Sequence, residues 1–214
     1  MFITFEGPEG SGKTTQIKPL ASFLSRRGYR VLTTREPGGT QIGDQIREIL
    51  LNRANTAMEW RTEILLFQAS RAQLVEQLIR PHLESGGVVL CDRYADSTLA
   101  YQGYGYQRDL EALRKIIHFA TGGLQPDLTF LLDLDVEAGL SRRSNDGDVN
   151  RLDAYELAFH RRVRQGYLEL ARAEPQRWVV LDATLPPDLL QSQIQQILME
   201  RIKQGGEPTR SEIP

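Results

Sequence analysis

The sequence predicts an α/β fold: a parallel sheet covered by helices. Three observations predict it. Five short runs of strand-forming residues recur along the chain, longer stretches of helical periodicity separate them, and a glycine-rich loop joins the first run to the first helical stretch. Apolar runs of this length suit strands buried on both faces. Strand–helix alternation implies parallel strands joined by helical crossovers, with the loops at the strand ends gathered along one edge where ligands bind.

The first run, FITFE (2–6), leads directly into GPEGSGKTT (7–15), where Gly7, Gly12, Lys13 and Thr14 satisfy G-x-x-x-x-G-K-[ST]. The mechanism of this motif requires a strand before it and a helix after it. Glycines let backbone N–H groups turn inward around a phosphate, and the helix N-terminus adds partial positive charge. Lys13 reaches the β- and γ-phosphates of a nucleotide, and the Thr14 hydroxyl is a Mg²⁺ ligand. Pro8, Glu9, Gly10, Ser11 and Thr15 complete the nucleotide-binding stretch. Glu9 is its anomaly: a carboxylate in a loop built for anions.

The second run, RVLTT (30–34), precedes Arg35 in TREPGGT. The helical stretch LLFQASRAQ carries Phe67 and Arg71 four residues apart, on one face. A ring beside a guanidinium suits a planar base and a phosphate, although Phe67 alone also reads as core. The third run, VVLCD (88–92), ends on Asp92-Arg93-Tyr94. If strands one and three are close, Asp92 orients Mg²⁺ through water and Arg93 holds a second phosphate bidentately. The plainer reading is a strand-end aspartate that caps a helix and pairs with Arg93. The fourth run is LTFLLD (128–133) and the fifth WVVLD (178–182), so Asp133 and Asp182 also sit at strand ends.

Between the last two runs, SRRSNDGDVNR (141–151) is polar and holds Gly147; it reads as a lid at about 141–152, or as a solvated loop. Leu152, Tyr155, Phe159, Val163, Tyr167 and Leu170 then mark one apolar helix face. The tail, 204–214, lacks an apolar period and is expected to be mobile, which leaves 1–203 as one domain.

Composition narrows the function. The 214 residues are 40% hydrophobic and 25% charged, with a net charge of -2, so no general electrostatic case exists for nucleic-acid or membrane binding. No apolar run approaches the ~20 residues of a membrane span. Cys91 is the one cysteine, so no internal disulfide can form; with no secretory leader pattern, this predicts a cytoplasmic protein. Cys91 is expected to be a buried, inert strand residue. His82, His118 and His160 lie outside every motif, and no Cys/His set has metal-site spacing.

The phosphate loop establishes nucleotide binding but not a reaction. A guanine-reading N-K-x-D motif is absent, which argues against a GTPase switch, and one compact domain leaves little room for a motor's coupling parts. A kinase acting on any monophosphate or small metabolite, and a regulatory switch with no acceptor, both remain open at this point.

The motifs in combination resemble the bacterial thymidylate kinase family. FEGPEGSGKTT at the start, TREPGGT (34–40), LLFQASRAQLVE (65–76) and DRYADSTLAYQG (92–103) carry the likeness; PDLTFLLDLDVEAGL (126–140), YLELA (167–171) and LDAT (181–184) continue it in order. It spans about residues 1 to 200. The resemblance implies a P-loop nucleoside monophosphate kinase fold, a five-stranded parallel sheet flanked by helices with a short lid. It also implies ATP and Mg²⁺ as donor and cofactor, dTMP as acceptor, and a cytoplasmic homodimer.

It further implies roles for named residues. Lys13, Thr14 and Asp92 would serve ATP and Mg²⁺. Arg93 and Arg35 would hold the dTMP phosphate, Phe67 would stack on thymine, and Arg71 would contact the base. Ser97, Thr98 and Gln102 would line the acceptor side, Tyr101 would crowd the sugar C2′ position, and Glu9 would accept from the 3′-hydroxyl. Arg142 matches an adenine-packing arginine. The loop carries no arginine, which resembles the version of the family that supplies catalytic arginines from the lid. Yet Asp146 stands where such an arginine is expected, so Arg143 and Arg151 are the candidates.

Overall fold

The computed structural model describes residues 1–145, 151–152 and 155–205. Its sheet has five parallel strands in the order β2-β3-β1-β4-β5, comprising β1 (Phe2–Glu6), β2 (Val31–Arg35), β3 (Val88–Asp92), β4 (Leu128–Asp133) and β5 (Trp178–Asp182). Four strands have the bounds expected from sequence. β2 begins and ends one residue later, so Arg35 is its last residue rather than the first beyond it. The cause is pairing: Arg35 lies in register with Asp92, and Glu36 N donates to Asp92 O at 2.9 Å.

Helices cover both faces. α1 (Lys13–Ser25) and α9 (Pro187–Gly205) pack on one side, against Ile3, Phe5, Leu90, Phe130 and Leu132. The other face meets α6 (Leu110–Thr121) and α8 (Leu157–Ala173), with Leu131 and Trp178 in the same cluster. Phe130 and Leu132 thus face one layer and Leu131 the other, the period-two alternation of a strand. α2 (Gln41–Leu51) packs beside α3 (Trp60–Leu74). α3 runs through a π-helical turn, Val75–Ile79, into α4 (Arg80–Glu84). α5 (Ala95–Thr98) continues as a π-helical stretch, Leu99–Gly105, that packs on α8.

α8 starts at Leu157, with Glu156 as its N-cap, so Leu152 and Tyr155 precede the helix that their spacing assigned them to. α7 (Val136–Asn145) holds the first part of the expected lid. Asp146, Gly147, Asp148 and the rest of 146–150 lie outside the described residues, as does Asp153. α9 runs through Gly205, two residues into the expected tail; 206–214 lie outside the described residues. Cys91 is fully buried on β3, and that burial raises its thiol pKa, as an inert core position requires.

The topology places the site. β1 and β3 are neighbours at the sheet centre; the chain leaves β1 toward β2 on one side and β3 toward β4 on the other. Such a divergence opens a crevice at the carboxyl ends of the strands.

Candidate active site

The loop after β1 is the floor of a cleft of about 940 Å³. Gly10 and Gly12 have φ of 68° and 83°, values that a side chain makes costly. At Gly10 a Cβ would also come within 2.1 Å of the Gly139 carbonyl oxygen. The loop is therefore seated directly on α7, the helix that carries Arg142 and Arg143. Lys13, buried at the start of α1, donates to the Gly7 and Pro8 carbonyls (3.1 and 2.9 Å) and to Ser11 Oγ (3.2 Å). Burial and the nearby Arg93 charge lower its pKa to about 8, with carboxylates opposing them.

Thr14 Oγ1 donates to Asp92 Oδ2 at 2.5 Å, so the residues expected at Mg²⁺ already meet across the β1–β3 junction. Among the described residues no cluster of three or more His, Cys, Asp or Glu could form a metal site from protein alone. One hydroxyl and one carboxylate fit a cation that takes its remaining ligands from phosphates and water, the usual manner of Mg²⁺.

Glu9 lies on the far side of the loop. Its carboxylate accepts from Arg93 (2.9 Å) and the Tyr101 hydroxyl (2.8 Å). Burial alone would raise its pKa, but Arg93 and Lys13 outweigh that and hold it at about 2. Both partners lie beyond β3, Arg93 just after it and Tyr101 in the π-helical stretch that follows α5. Arg93 has φ 67°, an unusual value for a non-glycine residue, held because Arg93 N donates to Phe5 O (2.9 Å) and its guanidinium to Gly7 O (3.0 Å). The plainer reading of Asp92-Arg93 does not hold: Arg93 pairs with Glu9, and Asp92 with Thr14.

Beneath Arg93 lies Glu6, fully buried, which the sequence reading gave no role. It accepts from Tyr94 N (2.7 Å), Ser97 Oγ (2.6 Å) and Tyr167 OH (2.9 Å), fixing the turn that presents Arg93. Burial, reinforced by Asp96, raises its pKa to about 7.

Phe67, Arg71, Thr98, Tyr101 and Gln102 all line the cleft beyond Arg93. Arg71 is 1% exposed, and its guanidinium donates to Glu36 (2.8 Å), Gln68 (2.7 Å), Thr98 Oγ1 (3.1 Å) and the Tyr94 carbonyl (3.0 Å). Its Nη2 also lies 2.6 Å from Glu36 Oε2, so all three guanidinium nitrogens are engaged within the protein. Arg71 thus orders the wall of the cleft more than sequence reasoning expected, and Glu36, in TREPGGT beside Arg35, is its unforeseen partner. Arg35 pairs with Asp44 at 3.1 Å and lines the same cleft, half exposed.

At the opposite end, Arg142 donates to the Ala183 carbonyl (3.2 Å), beside Thr184, Leu185 and Pro187. Arg143 lines the cleft and acts electrostatically on Glu9. Arg151 does not line it. Its side chain pairs with Glu63 and donates to Leu50 O (3.0 Å) and Tyr155 OH (2.8 Å). Glu63, like Glu6 and Glu36, escaped sequence reasoning because the partner that gives it a role lies far away in the chain.

A family model described as thymidylate kinase matches residues 5–194. A thymidylate kinase from Herpetosiphon aurantiacus is 53% identical, covering 91% of this chain and 93% of the relative. One from Deinococcus radiodurans is 55% identical, covering 94% and 97%. Among solved structures, a thymidylate kinase from Ehrlichia chaffeensis superposes with a TM-score of 0.76 at 32% identity, covering 93% of this chain and 98% of that one.

Proposed function

The chain belongs to the thymidylate kinase family, and we infer from that premise how its cleft phosphorylates dTMP to dTDP: ATP with Mg²⁺ is the donor, and the two nucleotides meet above the phosphate loop. The observation that carries this reading is the division of the loop's charges. Lys13, Thr14 and Asp92 gather on one side, Arg93, Glu9 and Tyr101 on the other, within one cleft. A hydrolase or switch needs the first group only.

Phosphoryl transfer demands positioning and charge neutralisation more than covalent chemistry. The inward N–H groups of Gly10 to Thr15, with Lys13, hold the donor phosphates; Thr14 and Asp92 would hold Mg²⁺, which when bound offsets phosphate charge. Arg93 binds the acceptor phosphate, giving up its bond to Glu9, whose carboxylate then accepts from the sugar 3′-hydroxyl. Phe67 stacks on the base, Ser97, Thr98 and Gln102 line its polar edge, and Tyr101 fills the space where a 2′-hydroxyl would sit. Arg142 packs on adenine. Arg143 is the arginine that reaches the transferring group, since it already lines the cleft.

We further propose a cytoplasmic homodimer. Leu65 on α3 and Phe119 on α6 are 59% and 89% exposed on helices that pack together, an apolar surface of the kind a second copy covers. Within the described residues no helix is long and apolar enough to cross a membrane.

A coupled ADP-release assay across dTMP, dUMP, UMP, CMP, AMP and GMP tests the reaction. Preference for dTMP is expected; preference for any other acceptor, or hydrolysis indifferent to all of them, overturns it.

A further inference from the structure

Glu63 is almost fully buried on α3 and touches neither the phosphate loop nor the Arg93 cluster. Its two oxygens are used differently. Oε1 accepts from Gln102 Nε2 at 2.8 Å, whereas Oε2 receives Arg151 and the Tyr106 hydroxyl (3.2 Å). Arg151 in turn donates to Tyr155, which meets Tyr106. The carboxylate is therefore enclosed by an arginine, an amide and a tyrosine pair.

We propose that Glu63 is a positioning residue that sets the hydrogen-bonding sense of Gln102 and so the base edge that the acceptor pocket accepts. This rests on the dTMP kinase reading above. A side-chain amide can present a donor or an acceptor, and rotation by half a turn exchanges them. A carboxylate accepts only, so Glu63 commits the Gln102 Nε2 group. Gln102 is 2% exposed and lines the cleft; with one Nε2 hydrogen fixed on Glu63, the amide presents Oε1, with the second Nε2 hydrogen beside it, to a ligand. An acceptor at that point meets a base carrying N3–H, as thymine does, and faces the lone pair at N3 of cytosine unfavourably.

Burial makes the commitment firm. Turning the amide would leave Nε2 without Glu63 and set two acceptors against each other inside the protein, which is costly. Arg151 balances the Glu63 charge, so a residue at the root of the expected lid supports the recognition of the base. That separates its role from Arg143, which lines the cleft itself.

The test compares dTMP with 5-methyl-dCMP, which keeps the methyl group and deoxyribose but reverses the N3 edge. Wild-type preference for dTMP tests the kinase reading alone. Glu63→Gln supplies an N–H that can meet Gln102 Oε1 and lets the amide turn. Its dTMP KM is expected to rise about tenfold with the ATP KM unchanged, and the ratio of kcat/KM for the two acceptors to narrow about tenfold, the worth of one good hydrogen bond. An unchanged ratio, with both acceptors used less well alike, is the outcome of a merely structural glutamate and overturns the proposal.

The double variant Glu63→Gln/Gln102→Glu reverses both partners and returns an acceptor to the cleft, so the ratio should recover; failure to recover also overturns it. Should Glu63→Gln not fold, a neutron crystal structure of wild-type protein with dTMP, in which the amide hydrogens are seen, decides. Gln102 Nε2 on Glu63 with Oε1 toward base N3 supports the proposal, and Nε2 turned toward the base overturns it.

Discussion

Glu9 shows how much one side chain can reveal about a site. A carboxylate in an anion-binding loop is paradoxical only if the loop has a single side. Arg93 and Tyr101 hold Glu9 on the side of the loop proposed for the acceptor, and its pKa, held at about 2, keeps it charged throughout the working range. Glu9→Ala is accordingly expected to raise the dTMP KM about tenfold or more, the worth of a charge-assisted bond, with ATP affinity nearly unchanged by calorimetry. A fall in ATP affinity with constant dTMP KM would assign Glu9 to the donor. The lid arginines separate at the same scale. Arg143→Ala should lower kcat by at least about tenfold, some 1.4 kcal/mol; Arg151→Ala, whose side chain is anchored on Glu63, should act chiefly on the dTMP KM. Steady-state rates under varied dTMP distinguish these outcomes, and an unaltered kcat in Arg143→Ala removes it from the transfer step.

At the scale of elements, the phosphate loop works because it is a wedge between β1 and α7. A Cβ at Gly10 meets the Gly139 carbonyl, and one at Gly139 would come within 2.3 Å of Glu9 O. Two backbones touch where the two glycines face each other, so α7 approaches closely enough to bring Arg142 and Arg143 over the cleft. Gly10→Ala should cost about 1–3 kcal/mol, from positive φ together with the clash. Denaturant melts would register that loss, and ATP affinity should fall with it. A variant as stable as wild type would mean that the loop and α7 can part freely. The motif itself marks Gly7 and Gly12; nothing in it distinguishes Gly10 as a contact point, because that contact lies 129 residues away along the chain.

The whole molecule adds a buried acid at its centre. Glu6 closes β1 and ties α5 and α8 to the sheet through Tyr94, Ser97 and Tyr167. Burial raises its pKa from 4.5 to about 7. The folded protein therefore holds a proton on Glu6 that the unfolded chain releases. This contribution is complete below pH 4.5 and is lost as pH rises to about 7. Glu6→Gln preserves an acceptor for Tyr94 and removes the titration. The stability difference between wild type and Glu6→Gln should shift against wild type by a few kcal/mol between about pH 5 and 7.5, read by denaturant melts at fixed salt. A difference independent of pH would show that Glu6 ionises in the fold at its ordinary value.

Much of this architecture is legible without coordinates. Four strands were bounded correctly because they are short, apolar on both faces and closed by polar residues; β2 slipped by one because its residues are half exposed and its pairing with Asp92 decides its end. The phosphate loop, Asp92, Arg93 and the α5 residues were readable because their spacing is local, set by a turn or a helix face. Glu6, Glu36 and Glu63 were not. Each is an acidic residue whose meaning comes from a partner brought in from elsewhere: Tyr167 for Glu6, Arg71 for Glu36, Gln102 and Arg151 for Glu63. The sequence by itself determined the chemistry available to this protein, because phosphate binding depends on residue types at fixed short intervals. Only the tertiary structure decided which atoms those residues present to a substrate, because burial forces every polar group to choose a partner, and the choice depends on what the fold places beside it.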